Sequence, residues 1–146
     1  DYYQNLASQL HLEEYVFFYG SQAGKELDLI YDKADAGLGF FGLYKDKMST
    51  ISSLKSVEYL AKGLPVISGC VEDVMKYEGG KRFFKIFPND ESVIDMEQVI
   101  DFYDSICDGS NKGLHEEIRE FAKKTVDMSV VMKPVINYIL GEKDEK

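Results

Sequence analysis

The stretch STISSLKSVEYLAKGLPVISG, residues 49–69, contains the signals on which the fold prediction depends. Small hydroxyl residues precede a segment with helical spacing, the segment ends at Gly63, and Pro65 opens a short apolar run. Ser and Thr are typical first caps of helices, and Gly is typical of the position after the last turn. The stretch therefore predicts a helix over 54–63 and a buried strand over 65–69. The apolar residues expected to face the core from this helix are Leu54, Val57, Leu60 and Ala61.

Short apolar runs alternate with helical patterns on both sides of this stretch. The runs predict strands over 16–20, 36–41 and 82–88. The helical patterns predict helices over 1–12, 25–34, 94–107, 114–125 and 129–140, with a short helix over 70–80. Pro134 must lie in the first turns of the last helix or kink it. This alternation is typical of an α/β fold in which helices cover both faces of a parallel sheet.

The composition is that of a soluble globular chain with room for one domain. With 146 residues, 45% hydrophobic and 29% charged, the chain is long enough for one core and too short for two. We therefore expect a single domain over residues 1–146. A formal net charge of −9 disfavours nucleic acids and anionic membranes as main partners, because both bind basic surfaces.

The sequence gives no signal for a metal ion, a cofactor or a membrane span. Cys70 and Cys107 are too few for a disulfide framework, and there is no CxxC pair or His cluster typical of a metal site. No apolar run approaches the roughly 20 residues of a membrane-spanning helix. We expect a cytoplasmic protein that requires neither a metal nor an organic cofactor.

The loop over 42–53 is the strongest candidate for a ligand site. Ligands of parallel sheets bind beyond the carboxyl ends of the strands, where loops enter helices. This loop enters its helix at Ser52, Ser53 and Leu54, where unpaired backbone N–H groups and the helix dipole favour an anion. The alternative, compatible with the first, is that Ser52 or Ser53 only caps the helix. The nearest cations are Lys45, Lys47 and Lys55.

Glu58 lies one turn after this helix start and allows two interpretations. It can form a surface pair with Lys62, four residues later, or it can serve as a ligand-binding carboxylate. Spacing alone does not separate the two.

The segment KSVEYLAKGLPVISG resembles the E-A-x-A-x-G-x-P-V-I signature in the donor-binding half of GT-B retaining glycosyltransferases of the large group-4 type. The surrounding order is also similar: VFFYG, then YDKADAGLGF, then the signature, then FFKIF closed by the turn Pro88-Asn89-Asp90. The ending IREFAKKTVDMSVVMKPVINYIL resembles the final helices of that group. The resemblance implies a Rossmann-like C-terminal domain, with a parallel sheet and helices on both faces.

The resemblance also implies roles for individual residues. Glu58 matches the second Glu of the E-x7-E motif, which accepts hydrogen bonds from the ribose hydroxyls of the nucleotide. The backbone at Ser52, Ser53 and Leu54 falls where the Gly-Phe-Gly turn of the family meets the diphosphate, and Lys55 is placed to neutralise a phosphate. Thr50 stands where the family has the first Glu, which contacts the donor sugar, so this position departs from the pattern. Catalytic residues are not identified.

The implied activity is transfer of a sugar from an NDP-sugar, of the UDP or GDP type, to a glycan or lipid-linked acceptor in polysaccharide biosynthesis. In the family, the anomeric configuration is retained and no metal is required. The first strands of the donor domain, with an Arg and a Lys for the diphosphate, lie upstream of the segment that matches VFFYG. We therefore expect a donor domain truncated at its N-terminus and inactive alone. Its expected partner is an N-terminal acceptor domain, and any peripheral membrane association is expected to use parts outside this chain.

A different class of function is also compatible with the sequence. The chain could be a non-catalytic α/β interaction module with a degenerate nucleotide site, for which Thr50 is one sign. Tyr2, Tyr3 and Tyr44 are aromatic residues that suit an interface. A dinucleotide-binding oxidoreductase is disfavoured, because no GxGxxG follows a predicted strand.

Overall fold

The computed structural model describes residues 1–107 and 111–141 and has a mixed α/β architecture with small parallel sheets. The chain divides into two compact units, Asp1–Lys33 and Ala34–Lys146. The single domain expected over 1–146 stays a prediction.

The first unit contains two helices, α1 (Tyr2–Gln9) and α2 (Gly24–Tyr31). Asp1 caps α1, because its carboxylate accepts a hydrogen bond from the Tyr3 N–H at 3.3 Å. The strand predicted over 16–20 is wrong: the segment is irregular, and Phe17 is 65% exposed. A strand needs a neighbouring strand to pair its backbone, and the elements of this unit are helices and turns.

The second unit contains two small parallel sheets. Strands β1 (Gly37–Leu38), β3 (Val66–Ser68) and β5 (Phe84–Ile86) form one sheet in the order β1-β3-β5. Gly37 lies opposite Val66, and Val66 lies opposite Phe84. Strands β2 (Thr50–Ile51) and β4 (Val71–Glu72) form the other sheet, with Thr50 opposite Val71. The predicted strands over 36–41, 65–69 and 82–88 are therefore confirmed, but each is shorter.

The helices of this unit are α3 (Leu54–Lys62), α4 (Met96–Ile106), α5 (Asn111–Thr125), α6 (Met128–Val131) and α7 (Lys133–Leu140). The predicted helix over 129–140 is divided at Met132. Pro134 then lies in the first turn of α7, where its missing N–H breaks no intrahelical bond.

The short helix predicted over 70–80 is wrong in its first part. Val71 and Glu72 form β4 instead, because they pair with β2, and the 3-10 turns Asp73–Lys76 and Gly80–Phe83 follow. Pairing with a strand about twenty residues earlier in the chain thus overrides the local helical pattern.

The inward face of α3 also differs from the prediction. Leu60 is fully buried as expected, but Leu54 is 81% exposed and Ala61 is exposed. Ser56 is fully buried in their place. The helix therefore directs a hydroxyl residue inward, on the same face as Leu60, and this hydroxyl donates to the buried carboxyl of Glu72.

The core of the second unit forms where α3 and α5 pack together beside the three-stranded sheet. Its buried residues include Leu60, Val66, Phe83, Phe84, Leu114 and Ile118. Gly63 closes α3 with a φ of +85° in the left-handed region. A Cβ at this position would lie 2.5 Å from the backbone oxygen of His115, so glycine also allows the close approach of α5.

We predict that Gly63→Ala destabilises the protein by roughly 2–4 kcal/mol, because it combines left-handed strain with a clash against backbone. Urea unfolding measures the change. Gly79→Ala is the matched control, since Gly79 has a φ of +79° but no atom within 4 Å of an added Cβ. Equal losses in the two variants would show that the approach of α5 does not require glycine.

Candidate functional site

The start of α3 is built from a capping serine and two first-turn amides. The Ser53 Oγ accepts a hydrogen bond from the Ser56 N–H at 3.3 Å, and Ser53 is buried. This confirms the predicted cap. The N–H groups of Leu54 and Lys55 occupy the first turn, where a helix offers no intrahelical acceptor. These N–H groups and the dipole of α3 favour an anion at this end of the helix.

The Lys55 ammonium lies close to the carboxyl end of β1. Its Nζ donates to the carbonyl oxygen of Gly39 at 3.1 Å and lies 4.6 Å from the centroid of the Phe40 ring. Lys55 thus places a positive charge between the end of β1 and the start of α3. Lys45 and Lys47, the other predicted cations, are exposed in and after the 3-10 turn Leu43–Asp46.

A buried carboxyl lies against the first turn of α3. Glu72 is 1% exposed, and its Oε1 accepts a hydrogen bond from the Ser56 Oγ at 2.9 Å. The Ser68 hydroxyl shares its one proton between the same Oε1 at 3.4 Å and the Phe40 carbonyl oxygen at 3.2 Å. Gly39 leaves room for the carboxyl, because a Cβ there would lie 3.3 Å from Oε1. The Oε2 atom is buried and has no hydrogen-bond partner among the described residues.

Burial raises the pKa of the Glu72 carboxyl above its ordinary value. The hydrogen bonds from Ser56 and Ser68 and the charge of Lys55 lower the pKa, but they do not outweigh burial. Burial also raises the pKa of the nearby Cys70 thiol, and the charge of Glu72 adds to that shift. The Glu72 carboxyl therefore ionises at a higher pH than an exposed glutamate does.

A single amide side chain fixes the loop that leads into the site. The Asn89 Oδ1 accepts from the Tyr44 N–H at 3.1 Å, and its Nδ2 donates to the Met48 carbonyl at 2.6 Å. The Cys70 Sγ lies 3.6 Å from the same Oδ1, and the Tyr44 hydroxyl donates to Glu91 at 3.1 Å. Asn89 thus holds both ends of the turn immediately before β2.

Two cavities border the entry to α3. The larger has a volume of about 720 Å³. It is lined by Thr50, Ser52, Glu72, Asp73, Lys76 and Lys81 together with the apolar side chains of Met48, Ile51, Val71 and Met75. The smaller, of about 230 Å³, is lined in part by Ser52, Ser53, Leu54 and Glu72. Glu72 therefore borders both.

The structure brings some of the predicted site residues together. Thr50 lies at β2 and borders the larger cavity, Ser52 borders both, and Ser53 and Leu54 border the smaller. Glu58 is exposed and lines neither of these two cavities. It lies four residues after the exposed Leu54, so both share the solvent face of α3. The nucleotide role of these residues stays a prediction.

Glu72, Ser56, Ser68 and Asn89 are the residues that the sequence analysis missed. The only local signal for Glu72 is an acidic residue shortly after the buried strand, and the only local signal for Asn89 is the turn Pro88-Asn89-Asp90. Their partners lie between 4 and 45 residues away along the chain. Local pattern therefore could not identify them.

Within residues 1–107 and 111–141, no group of three or more His, Cys, Asp or Glu residues is arranged to hold a metal ion. Over the same residues, no helix has the length and apolar character needed to cross a membrane. Comparisons with protein-family models, curated proteins and solved structures give no match for this chain.

We predict that Glu72→Gln stabilises the folded protein at neutral pH by roughly 1–2 kcal/mol, because it removes a buried charge and keeps the acceptor for Ser56. The folded-state pKa of Glu72 is raised, so its ionisation reduces stability as pH rises from the unfolded pKa through the folded pKa. The free energies of unfolding of wild type and variant should therefore be equal near pH 4, and the variant should become the more stable of the two as pH rises above this value. Urea unfolding across pH 4–8 measures this, with the exposed Glu97→Gln as control. If the unfolding free energies of wild type and Glu72→Gln differ by the same amount at all pH values, the prediction is wrong.

We also predict that Asn89→Ala destabilises the loop by about 1–2 kcal/mol, because the Tyr44 N–H and the Met48 carbonyl lose a partner. Hydrogen exchange of the Tyr44 amide should accelerate several-fold. Asn89→Asp keeps the acceptor, so Tyr44 should stay protected while only the contact to Met48 is lost. If the Tyr44 amide exchanges at the wild-type rate in Asn89→Ala, the hydrogen bonds of Asn89 do not hold the loop in place.

Proposed function

We propose that this chain supplies the ribose and diphosphate half of the donor site of a retaining glycosyltransferase. The complete enzyme would transfer a sugar from a UDP- or GDP-sugar to a glycan or lipid-linked acceptor. The proposal includes a Rossmann-like donor domain, an N-terminal acceptor domain as partner, and a cytoplasmic location. It requires no metal, because amides, a helix dipole and lysines take the role of stabilising the departing diphosphate.

One observation carries the proposal. Leu54, whose N–H lies in the first turn of α3, and Glu58, one turn later, are both exposed residues on the same face of this helix, and Ser53 caps it. The amides and dipole favour a diphosphate, and a carboxylate can accept two ribose O–H donors at once. A nucleoside diphosphate has these two groups at neighbouring positions, so a single ligand can engage both.

The resemblance of the sequence to the glycosyltransferase signature adds separate support. It assigns Glu58 to the ribose and the backbone at Ser52, Ser53 and Leu54 to the diphosphate. Thr50 borders the larger cavity beside Ser52. At this position a hydroxyl would replace the carboxylate that contacts the donor sugar in the family. We therefore expect the donor sugar to be held with fewer charged contacts than in relatives that have both Glu residues.

A second candidate function, a non-catalytic interaction module, is favoured by the exposed aromatic residues of the first unit. Tyr2 and Tyr3 are 72% and 66% exposed, as are Tyr15 and Phe17 at 76% and 65%. Tyr44, in the second unit, is partly buried and does not add to this set. Aromatic side chains of this kind are enriched in protein interfaces. Calorimetric titration of the full-length protein with UDP, GDP and ADP separates the two functions, since only the transferase should give saturable heat.

We predict that Glu58→Ala in the full-length protein weakens the affinity for UDP or GDP by about 10–100-fold, because two hydrogen bonds to a charged acceptor are lost. Stability should change little, since Glu58 is exposed. Calorimetry gives the affinity, and urea unfolding gives the stability.

Lys62→Ala is the matched control, because Lys62 lies at the i,i+4 position relative to Glu58 on the same helix. It should leave nucleotide affinity unchanged. If Glu58→Ala binds nucleotide as tightly as wild type while both variants lose the same small stability, Glu58 serves only as a surface pair and the ribose role is wrong.

A further inference from the structure

The Glu72 carboxyl and the proposed diphosphate site compete for the same end of α3. Glu72 Oε1 accepts a hydrogen bond from Ser56, and Ser56 is the residue whose N–H bonds to the Ser53 cap. Glu72 also borders the cavity lined by Ser52, Ser53 and Leu54. An ionised Glu72 would therefore place a negative charge beside the amides that favour an anion.

The carboxyl also has a vacant position for a proton. Its Oε1 is engaged by two serine hydroxyls, while Oε2 is buried without a partner among the described residues. A proton on Oε2 removes the negative charge and leaves both serine hydrogen bonds intact. Water cannot screen the charge effectively, because Glu72 is 1% exposed.

We propose that Glu72 is a positioning residue whose protonation is coupled to binding of the diphosphate at the start of α3. The inference rests on the proposed function, because it concerns the anion that the site would receive. When the diphosphate binds, the carboxylate takes one proton from the solvent buffer at Oε2 and becomes a neutral carboxyl. The neutral carboxyl keeps its serine contacts to α3 and β3 and no longer repels the phosphates.

Other charged groups around Glu72 also influence the ionisation of its carboxyl. Lys55 attracts the carboxylate and lowers its pKa, whereas burial raises it. Asp73 is paired with Lys76 at 2.9 Å, so its charge is partly neutralised. The titratable groups that adjoin Glu72 or line the cavities beside it are Lys55, Cys70, Asp73, Lys76, Tyr77 and Lys81.

The sign of the linkage follows from repulsion between like charges. A bound diphosphate disfavours the ionised carboxyl, so the pKa of Glu72 is higher in the complex than in the free protein. Affinity is then greatest below the pKa of the free protein and falls as pH rises through it. When one proton is taken up, the affinity for the diphosphate falls by at most about tenfold per pH unit.

The test is calorimetry on the full-length protein with UDP-glucose and GDP-mannose between pH 5.5 and 8.5. These sugar nucleotides suit the test because their phosphates are diesters and lack the second ionisation near pH 6 of a phosphate monoester. Titrations at each pH are repeated in two buffers with different ionisation enthalpies, and the difference in heat gives the number of protons taken up.

We expect wild type to take up as much as about one proton per bound sugar nucleotide and to lose affinity as pH rises. Glu72→Gln should bind with no proton uptake and a flat pH profile. Glu97→Gln, an exposed substitution of the same type, should keep the wild-type profile. Ser68→Ala removes one hydroxyl donor to Oε1, so its profile should move to higher pH.

The possible failures are distinguishable. Binding of either sugar nucleotide without proton uptake and without pH dependence overturns the coupling and leaves the proposed function standing. No binding at any pH overturns both. If Glu72→Gln does not fold, the wild-type heats in two buffers and the displaced profile of Ser68→Ala still decide the question.

Discussion

The second unit depends on a buried carboxyl that joins three elements through two hydroxyl groups. Glu72 belongs to β4, Ser56 belongs to the first turn of α3, and Ser68 ends β3. Removing a carboxyl from water is costly, and the arrangement is tolerable only because hydroxyl donors and the charge of Lys55 partly replace the solvent. Ser56, which contacts this carboxyl, and Leu60, which packs in the core, share the buried face of α3. Leu54 and Glu58 lie on the exposed face of the same helix.

The opposite end of α3 is fixed by packing. Gly63 ends the helix in a left-handed conformation and admits the backbone of His115 on α5. Leu60, one turn earlier, is fully buried in the core with Ile118 of α5. The helix is thus held by polar contacts at its first turn and by apolar packing at its last turns. The start of the helix borders a cavity lined in part by Ser52, Ser53 and Leu54.

Sequence reasoning succeeded where the determining signal is local. The cap at Ser53 and the stop at Gly63 each depend on neighbours within a few residues. The strand after Pro65 was also marked by a local apolar run, although its pairing partners are the distant strands β1 and β5. It failed where a distant partner decides the outcome. The apolar run over 16–20 lacks a strand to pair with, and Val71 pairs with Thr50 in place of extending a helix. Leu54 was expected inward because helical patterns weigh hydrophobicity, whereas here a buried acid selects Ser56. The nucleotide roles of Glu58 and the amides depend on a ligand and could only be proposed.

The tether at Asn89 has a consequence for how this fold can diversify. The Asn89 side-chain amide bonds the turn at both Tyr44 and Met48, so the exposed residues between them form a loop that is closed by two hydrogen bonds. Because these bonds are made to main-chain atoms, the side chains of Lys45 and Asp46 can change in size or charge without altering the path of the chain toward Thr50. Lys47 has a φ of +56° in the left-handed region, so its replacements are restricted to residues such as Gly and Asn. Mutations in this loop can therefore change the surface charge of the molecule while the path of the chain into β2 stays the same.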